Sequence, residues 1–282
     1  MPTDRPPSRA RRRIRATLRY TLLVVMAAVV IFPIYITVVN SLLSAGEIGA
    51  RPPYLFPRHP QWGNYTKAWN YGSLAIYLRN SAIVATIVSA ASIATSVLAA
   101  YAFAFLNFPL KRVLFAACLA TLMVPLEVTV IPNHATIVSL GWINTFPALI
   151  VPFVASALGI FLFRQSFRGL PGELRDAAKL DGYGHWRFLT RVVVPLNRPM
   201  VGAFAIFAFL ASWNQYLWPL LVTQTNNVRT VQIGLRQLSQ LNIDQINVIF
   251  AGTVIAALPI FVILLIFQKQ LVRGLTAGAV KG

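Results

Sequence analysis

Long apolar runs separated by polar breaks organise this chain. Six runs stand out, at about 20–43, 81–106, 113–131, 146–163, 199–222 and 248–267. Each is close to the ~20 residues that carry a helix across a ~30 Å hydrocarbon core. The pattern predicts an all-α, polytopic membrane protein with six transmembrane helices. The first run follows an arginine-rich start but is too long for the apolar core of a cleaved signal, so it reads as a retained span. The spans fill 20–267, with a basic tail at 1–19 and a short tail at 268–282.

The break between the fourth and fifth runs, 164–198, differs from the others. Inside it lies Glu-Leu-Arg-Asp-Ala-Ala-Lys-Leu-Asp-Gly-Tyr-Gly-His-Trp, residues 173–186, polar and of mixed charge. Leu174, Ala177, Ala178 and Asp181 fall at i, i+3, i+4 and i+7 and so share one face of a helix. The two alanines allow close backbone approach, while Glu173 and Asp176 offer carboxylates to a partner's cations. Gly182 and Gly184 permit the sharp turn that ends such a helix. Helical spacing resumes over 185–194, and Pro195 and Pro199 lead into the fifth run, Pro199 in a natural first-turn position. A short protruding helix, a hinge and a stem suit docking onto a soluble protein. A solvated loop with an incidental helix is the other reading.

Composition and charge fix the setting. Of 282 residues 57% are hydrophobic and 11% charged, with a formal net charge of +18. Nucleic-acid binding would need a basic face on a polar fold. The cations here lie between apolar runs, so the lipid bilayer is the partner and nucleic acid is not. Their placement also orients the chain. Of the 25 Lys and Arg residues, seven lie in 1–19, two in 107–112, seven in 164–198 and three after 267, all on one side of the predicted topology. The remaining six, Arg51, Arg58, Lys67, Arg79, Arg229 and Arg236, lie on the other. Both termini and the 164–198 loop are therefore expected in the cytoplasm.

The outward segments carry their own signals. Residues 44–79 hold four prolines together with Trp62, Tyr65, Trp69, Tyr71 and Tyr77, aromatics of the kind that anchor at a bilayer interface. A lateral helix with its anchoring loop accounts for the same residues. Asn64-Tyr65-Thr66 matches a glycosylation sequon, a short pattern of low specificity. Residues 223–247 are a longer polar excursion, either reaching an external partner or serving as a disordered connector. The single cysteine, Cys118, excludes an internal disulfide and offers no metal site. No Gly-Lys dipeptide occurs, so a P-loop is absent. His59, His134 and His185 sit in separate loops without forming a ligand or catalytic cluster. Nothing pairs a nucleophile with a base, and no enzyme activity, cofactor or metal is expected of this chain.

Three motifs carry a family resemblance. Asp176-Ala177-Ala178, followed by Leu180-Asp181-Gly182 and then Val194-Pro195-Leu196, resembles the EAA loop of ABC importer permeases. Asp176 stands where that family usually has Glu, keeping the charge on a shorter arm, and Tyr183 replaces the usual small residue after the glycine. Trp213-Asn214-Gln215-Tyr216-Leu217-Trp218-Pro219-Leu220 resembles the fifth-span motif of the carbohydrate-type permeases related to the maltose system's smaller membrane subunit. Residues 274–282 are similar to that family's C-terminal tail. The likeness runs from about residue 15 to the end, and Met123-Val124-Pro125-Leu126-Glu127-Val128 looks closest to glycerol-3-phosphate importer permeases.

The resemblance implies a type I ABC importer permease fold in a bacterial cytoplasmic membrane. It also implies a four-part engine: this permease, a second homologous permease, an ATPase dimer and an extracytoplasmic solute-binding protein. Glu173, Asp176, Ala177, Ala178, Asp181 and Gly182 then form the ATPase-coupling loop, closure of the ATPases rocks the spans, and 223–247 inserts toward the binding protein. The solute is expected to be a sugar or a glycerol-phosphate-type molecule.

Polar groups inside spans usually face a cavity or a partner helix. Glu127 falls about fourteen residues into the third run, ~21 Å along a straight helix. Asn214 and Gln215 lie near that depth on the fifth run, beside Trp213, Tyr216 and Trp218. Amides, a carboxylate and aromatic faces suit a polyol or sugar, and Glu127 would repel a phosphate unless protonated or paired. Contact with the second permease or interhelical hydrogen bonding explains each of these residues equally well. A secondary carrier would also place polar groups in its spans, but would show repeated halves with broken helices, and no clear internal repeat is present.

Overall fold

The structure, a computed structural model, describes residues 9–71, 73–241 and 244–277, and among them every regular element is helical. In chain order the helices are α1 (Arg9–Leu42), α2 (Ala45–Ile48), α3 (Gly63–Tyr71), α4 (Leu74–Phe105), α5 (Lys111–Ala120) and α6 (Leu126–Ser139). Next come α7 (Phe146–Ile150), α8 (Ala157–Arg168), α9 (Gly172–Leu180), α10 (His185–Phe188) and α11 (Val194–Leu196). The series ends with α12 (Arg198–Trp213), α13 (Leu217–Val222), α14 (Val231–Leu241) and α15 (Ile246–Ala277). Residues 1–8 of the basic tail and 278–282 of the C-terminal motif lie outside the described residues.

Three helices are each long and apolar enough to cross a bilayer: residues 16–42 of α1, all of α4, and 246–268 of α15. The other apolar runs are broken. Lys111–Met123 meets Glu127–Ser139 at 102°, Phe146–Phe153 meets Ala157–Arg168 at 42°, and His185–Leu196 meets Arg198–Trp213 at 80°. Counting each bent pair as one span gives up to six.

Local chemistry explains the breaks. Val124 is extended (φ −84°, ψ 116°) ahead of Pro125, because a proline ring clashes with a helical residue before it. Ser156 is extended (φ −134°, ψ 112°), and its Oγ accepts the Gly159 N–H at 3.1 Å, capping α8. A π-helical turn at Leu189–Val193 precedes α11, and the bend itself falls at Asn197 (φ −100°, ψ 16°), ahead of Pro199, which has no N–H to carry the ladder back across it.

These breaks correct the straight-span picture. The third run does not continue as one helix through Glu127; the chain turns first, and Glu127 sits in the first turn of α6. Its depth cannot be counted from Val113. α6 also runs to Ser139, so His134 lies in a helix and not in a loop. The fifth run is split between α12 and α13, with Asn214–Tyr216 between them.

The chain forms two compact units, residues up to 70 with 238–255, and residues 71–237 with 256 onward. In the first, Asn64 is 3% exposed. Its amide donates to Ser41 O at 2.9 Å and Leu43 O at 3.0 Å, and its Oδ1 accepts from Asn247 at 2.9 Å. The sequon asparagine is thus a buried tie between helix ends, unavailable to a glycosyltransferase.

In the second unit α4 packs along α8 and α12. Small and hydroxylated residues let these backbones approach closely. Ser89 Oγ donates to Ala205 O at 3.0 Å and Thr95 Oγ1 to Val154 O at 2.6 Å. A Cβ at Gly159 would overlap Phe204 and Ser96, so only glycine allows this approach of α8. Phe163, Phe167, Phe188, Phe204 and Val193 fill the core between them.

Candidate functional site: a docking helix and a lined path

The segment expected to dock is a helix, with its boundaries close to those the sequence predicts. α9 starts after Pro171 and ends in a six-to-one turn. Tyr183 N–H donates to Ala178 O at 2.8 Å, Gly182 N–H to Lys179 O at 3.0 Å and Asp181 N–H to Ala177 O at 3.0 Å. This is the Schellman pattern, which needs a left-handed residue just past the helix. Gly182 supplies it at φ +73°.

α9 stands proud of the unit. Glu173, Asp176, Ala177, Asp181 and Gly182 are exposed, and Leu180 is 90% exposed. Of the face predicted to be shared, only Ala178 is buried, at 6% exposure, where it joins the core with Tyr101, Phe167 and Phe188. Ala177 and Leu174 instead face outward with Leu180, and beyond the turn Trp186 is 68% exposed. A cleft of about 520 Å³ lies beside α9, lined in part by Tyr101, Arg175, Lys179 and His185. There His185 Nδ1 and the Tyr101 hydroxyl are 2.9 Å apart, a pairing between residues 84 positions apart that sequence reading missed.

The residues expected on a path divide into two sets. Glu127, Gln215 and Tyr216 line one cavity of about 180 Å³ with Asn133, Phe153 and Trp218. Trp213 and Asn214 do not. Trp213 is 2% exposed and stacks on Phe209 at 5.6 Å. Asn214 closes α12, its amide donating to Leu210 O at 3.0 Å and its Oδ1 accepting from Gln232 at 3.3 Å. A second cavity of about 170 Å³ is lined by Ser92, Ser156, Phe204, Ser212, Phe153 and Gln215, among others. Gln215 and Phe153 therefore border both spaces.

Sequence reasoning placed Trp218 beside the path but missed Asn133 and Phe153, because the helix breaks that bring them to Glu127 leave no period in the sequence. The only available signals were the prolines at 125, 147, 152 and 219. Trp218 is fixed by its indole N–H, which donates to Ala148 O at 2.8 Å.

The segment after α13 is ordered. Asn144, held at φ +63°, accepts the N–H groups of Gln224 and Thr225 at 3.0 Å each and donates its own N–H to Val222 O at 2.7 Å. Asn80, fully buried, donates to Asn227 O at 2.8 Å and Arg229 O at 3.0 Å. Ser81 Oγ accepts from Val231 N–H at 2.8 Å, and Tyr77 donates to Gln237 at 2.7 Å. The disordered-connector reading of 223–241 is thereby corrected: side chains from the start of α4 and from Asn144 hold this segment in place.

Similar proteins agree with this architecture. The sn-glycerol-3-phosphate transport system permease protein UgpE of Rhizobium meliloti (strain 1021) is 35% identical over 274 residues, covering 94% of this chain and 97% of that protein. UgpE of Yersinia pestis bv. Antiqua (strain Antiqua) is 33% identical, covering 91% and 94%. The fold is that of a chain in a bacterial ABC transporter involved in the import of the acidic polysaccharide alginate. That match has a TM-score of 0.81 at 19% identity and covers 94% of this chain and 99% of that one. A second alginate-transporter structure, in complex with an alginate pentasaccharide-bound periplasmic protein, matches with a TM-score of 0.65 at 10% identity. Residues 92–277 match the family described as binding-protein-dependent transport system inner membrane component, and the chain belongs to that family.

Proposed function

We propose that this chain is one of two permease subunits of an ATP-driven importer for a glycerol-phosphate-type or sugar solute. Six spans cross the membrane, both termini are cytoplasmic, and the domain layout is a basic tail at 1–19, a transmembrane body at 20–267 and a tail at 268–282. The coupling loop is 164–198. Hydrolysis of ATP belongs to partner subunits, and an extracytoplasmic binding protein delivers the solute. The relatives' names support the glycerol-phosphate class.

One observation carries this reading: α9 is closed by a glycine turn and leaves its apolar face open, yet is anchored at Ala178 in a core shared with α4, α8 and α12. A helix so placed gives up little of its own surface to the chain and passes any displacement into packed helices. Close-packed interiors transmit such strain. Glu173, Asp176 and Asp181 offer charge-assisted hydrogen bonds to an ATPase surface.

Along the path, Glu127, Gln215 and Tyr216 meet the hydroxyl groups of the solute. A phosphate must pass clear of the Glu127 carboxylate, since like charges repel strongly where water is scarce. Glu127→Gln keeps shape and removes charge. Uptake should change while complex yield and basal ATPase stay as in the parent. Loss of complex yield would instead assign Glu127 to a cation of the second permease.

The test of the whole proposal is reconstitution with the cognate partners. Uptake of labelled sn-glycerol-3-phosphate and of a disaccharide panel should require ATP and the binding protein, and should persist when ion gradients are collapsed. Uptake that follows the ion gradient and ignores ATP would overturn it.

A further inference from the structure

Around the end of α4, the start of α5 and the last two turns of α8, three cations lie near one another, two of them against aromatic rings. Lys111 Nζ donates to Leu106 O at 2.6 Å and lies 6.0 Å from the Phe108 ring centroid. Arg164 donates its Nε–H to Phe103 O at 3.3 Å and stacks 3.9 Å from the Phe115 centroid. Phe103 packs against both rings, at 5.8 Å from Phe108 and 5.3 Å from Phe115. The charged neighbours of Lys111 are Arg164 and Arg168, and that of Arg164 is Arg168; no carboxylate among the described residues is one of them. Two of the cations are therefore held in fixed positions by carbonyls and rings, and their charges are left uncompensated.

Exposed apolar side chains flank Lys111 along the chain. Leu110 is 70% exposed, Val113 62% and Leu114 50%. A basic cluster bordered by exposed apolar residues at the end of a span is complementary to a molecule with an anionic head and hydrocarbon tails.

We propose that Lys111, Arg164 and Arg168 form a binding site for the headgroup of an anionic phospholipid, with its acyl chains lying along Leu110, Val113 and Leu114. Basic pockets between transmembrane helices on the cytoplasmic side bind such headgroups through the same chemistry, and Arg164 offers a planar fork suited to phosphate oxygens. The proposal rests on the orientation given above, which puts this end of the spans in the cytoplasmic leaflet. An acidic side chain of the second permease is the competing occupant, but the exposed apolar residues beside the cluster favour lipid.

The experiment uses the complete transporter in detergent, incubated with equal amounts of phosphatidylglycerol and phosphatidylcholine, with bound lipid counted by native mass spectrometry. The parent should retain phosphatidylglycerol in preference. Retention should fall about fivefold for each of Lys111→Gln and Arg168→Gln, equivalent to about 1 kcal/mol per charge at an anionic surface. Arg164 is left intact because its stacking also supports the fold. Arg51→Gln, outside the cluster, should leave retention unchanged. No preference for phosphatidylglycerol, or a preference that survives the paired Lys111→Gln and Arg168→Gln substitutions, overturns the proposal. Detergent opens both faces of the protein to lipid, so such a failure counts against the site and not against the orientation.

Discussion

α9 and the start of α14 are both short helices that follow polar breaks, yet the chain treats them oppositely. α9 is held by backbone hydrogen bonds of its own turn and buries little more than Ala178. α14 and the residues leading into it are held by side chains from far along the sequence, Tyr77, Asn80 and Ser81, and bury Val231 and Ile233. A helix stabilised locally keeps its outer face free for a partner. One stabilised by distant side chains has spent that face on its own fold. On the proposed function, the difference fits docking at the first and a fixed platform at the second.

The strongest way to break this comparison is Gly182→Val. A β-branched residue at φ +73° is strained by about 1–3 kcal/mol, so the turn that frees α9 should unravel. Binding-protein-stimulated ATPase and uptake in proteoliposomes should both collapse; normal values for either would remove the turn from coupling.

Gly234→Ala strikes the other side. The new methyl group would overlap the ring of Tyr77, which is 1% exposed and has little room to move. Overpacking of this kind costs about 1–3 kcal/mol. The melting temperature of the purified complex should drop, with partial recovery when Tyr77→Leu is added. An unchanged melt would show that this contact relaxes freely.

Asn80→Ala removes both donors from the carbonyls of Asn227 and Arg229 while leaving α14 chemically intact. Losing two part-buried hydrogen bonds is expected to cost about 0.5–1.5 kcal/mol each. Protease cleavage should become faster within 223–230 and nowhere else. Equal cleavage patterns would argue that Asn144 alone secures the segment.

Leu180→Ser sharpens the contrast most gently. At 90% exposure it touches almost nothing in its own chain, so stability should move by no more than about 0.5 kcal/mol. Recovery of the ATPase subunits on affinity purification should nevertheless fall. Undiminished recovery would place the docking contact elsewhere on α9.

How much of this was legible beforehand follows the range of the interactions. α9 could be read from sequence because everything that defines it lies within a dozen residues: its pattern, its carboxylates and the Gly182 turn. The apolar runs gave membrane character and the approximate span positions. Run length carries no information on direction, however, so the 102° turn ahead of Glu127 and the gap at Asn214–Tyr216 escaped. The prolines marked those places without giving the angle. Trp213 was assigned to the path by its neighbours in sequence, but the end of α12 turns it into the protein, while Phe153 and Asn133 arrive from other helices. The order in 223–241 was invisible because Asn80 and Ser81 act from about 150 positions away.

The π-helical turn at Leu189–Val193 also sets an azimuth. It accommodates one residue more than an α-helical turn would, and each α-helical residue advances the chain by about 100° around the axis. Were the same residues wound as ordinary α-helix, everything on the N-terminal side of the turn would rotate by close to that angle. His185 would swing away from Tyr101, and the exposed side chains of α9 would be aimed in a new direction with every one of them still present. The residue types of α9 set the chemistry of its surface, and the winding of this one turn determines which way that surface looks.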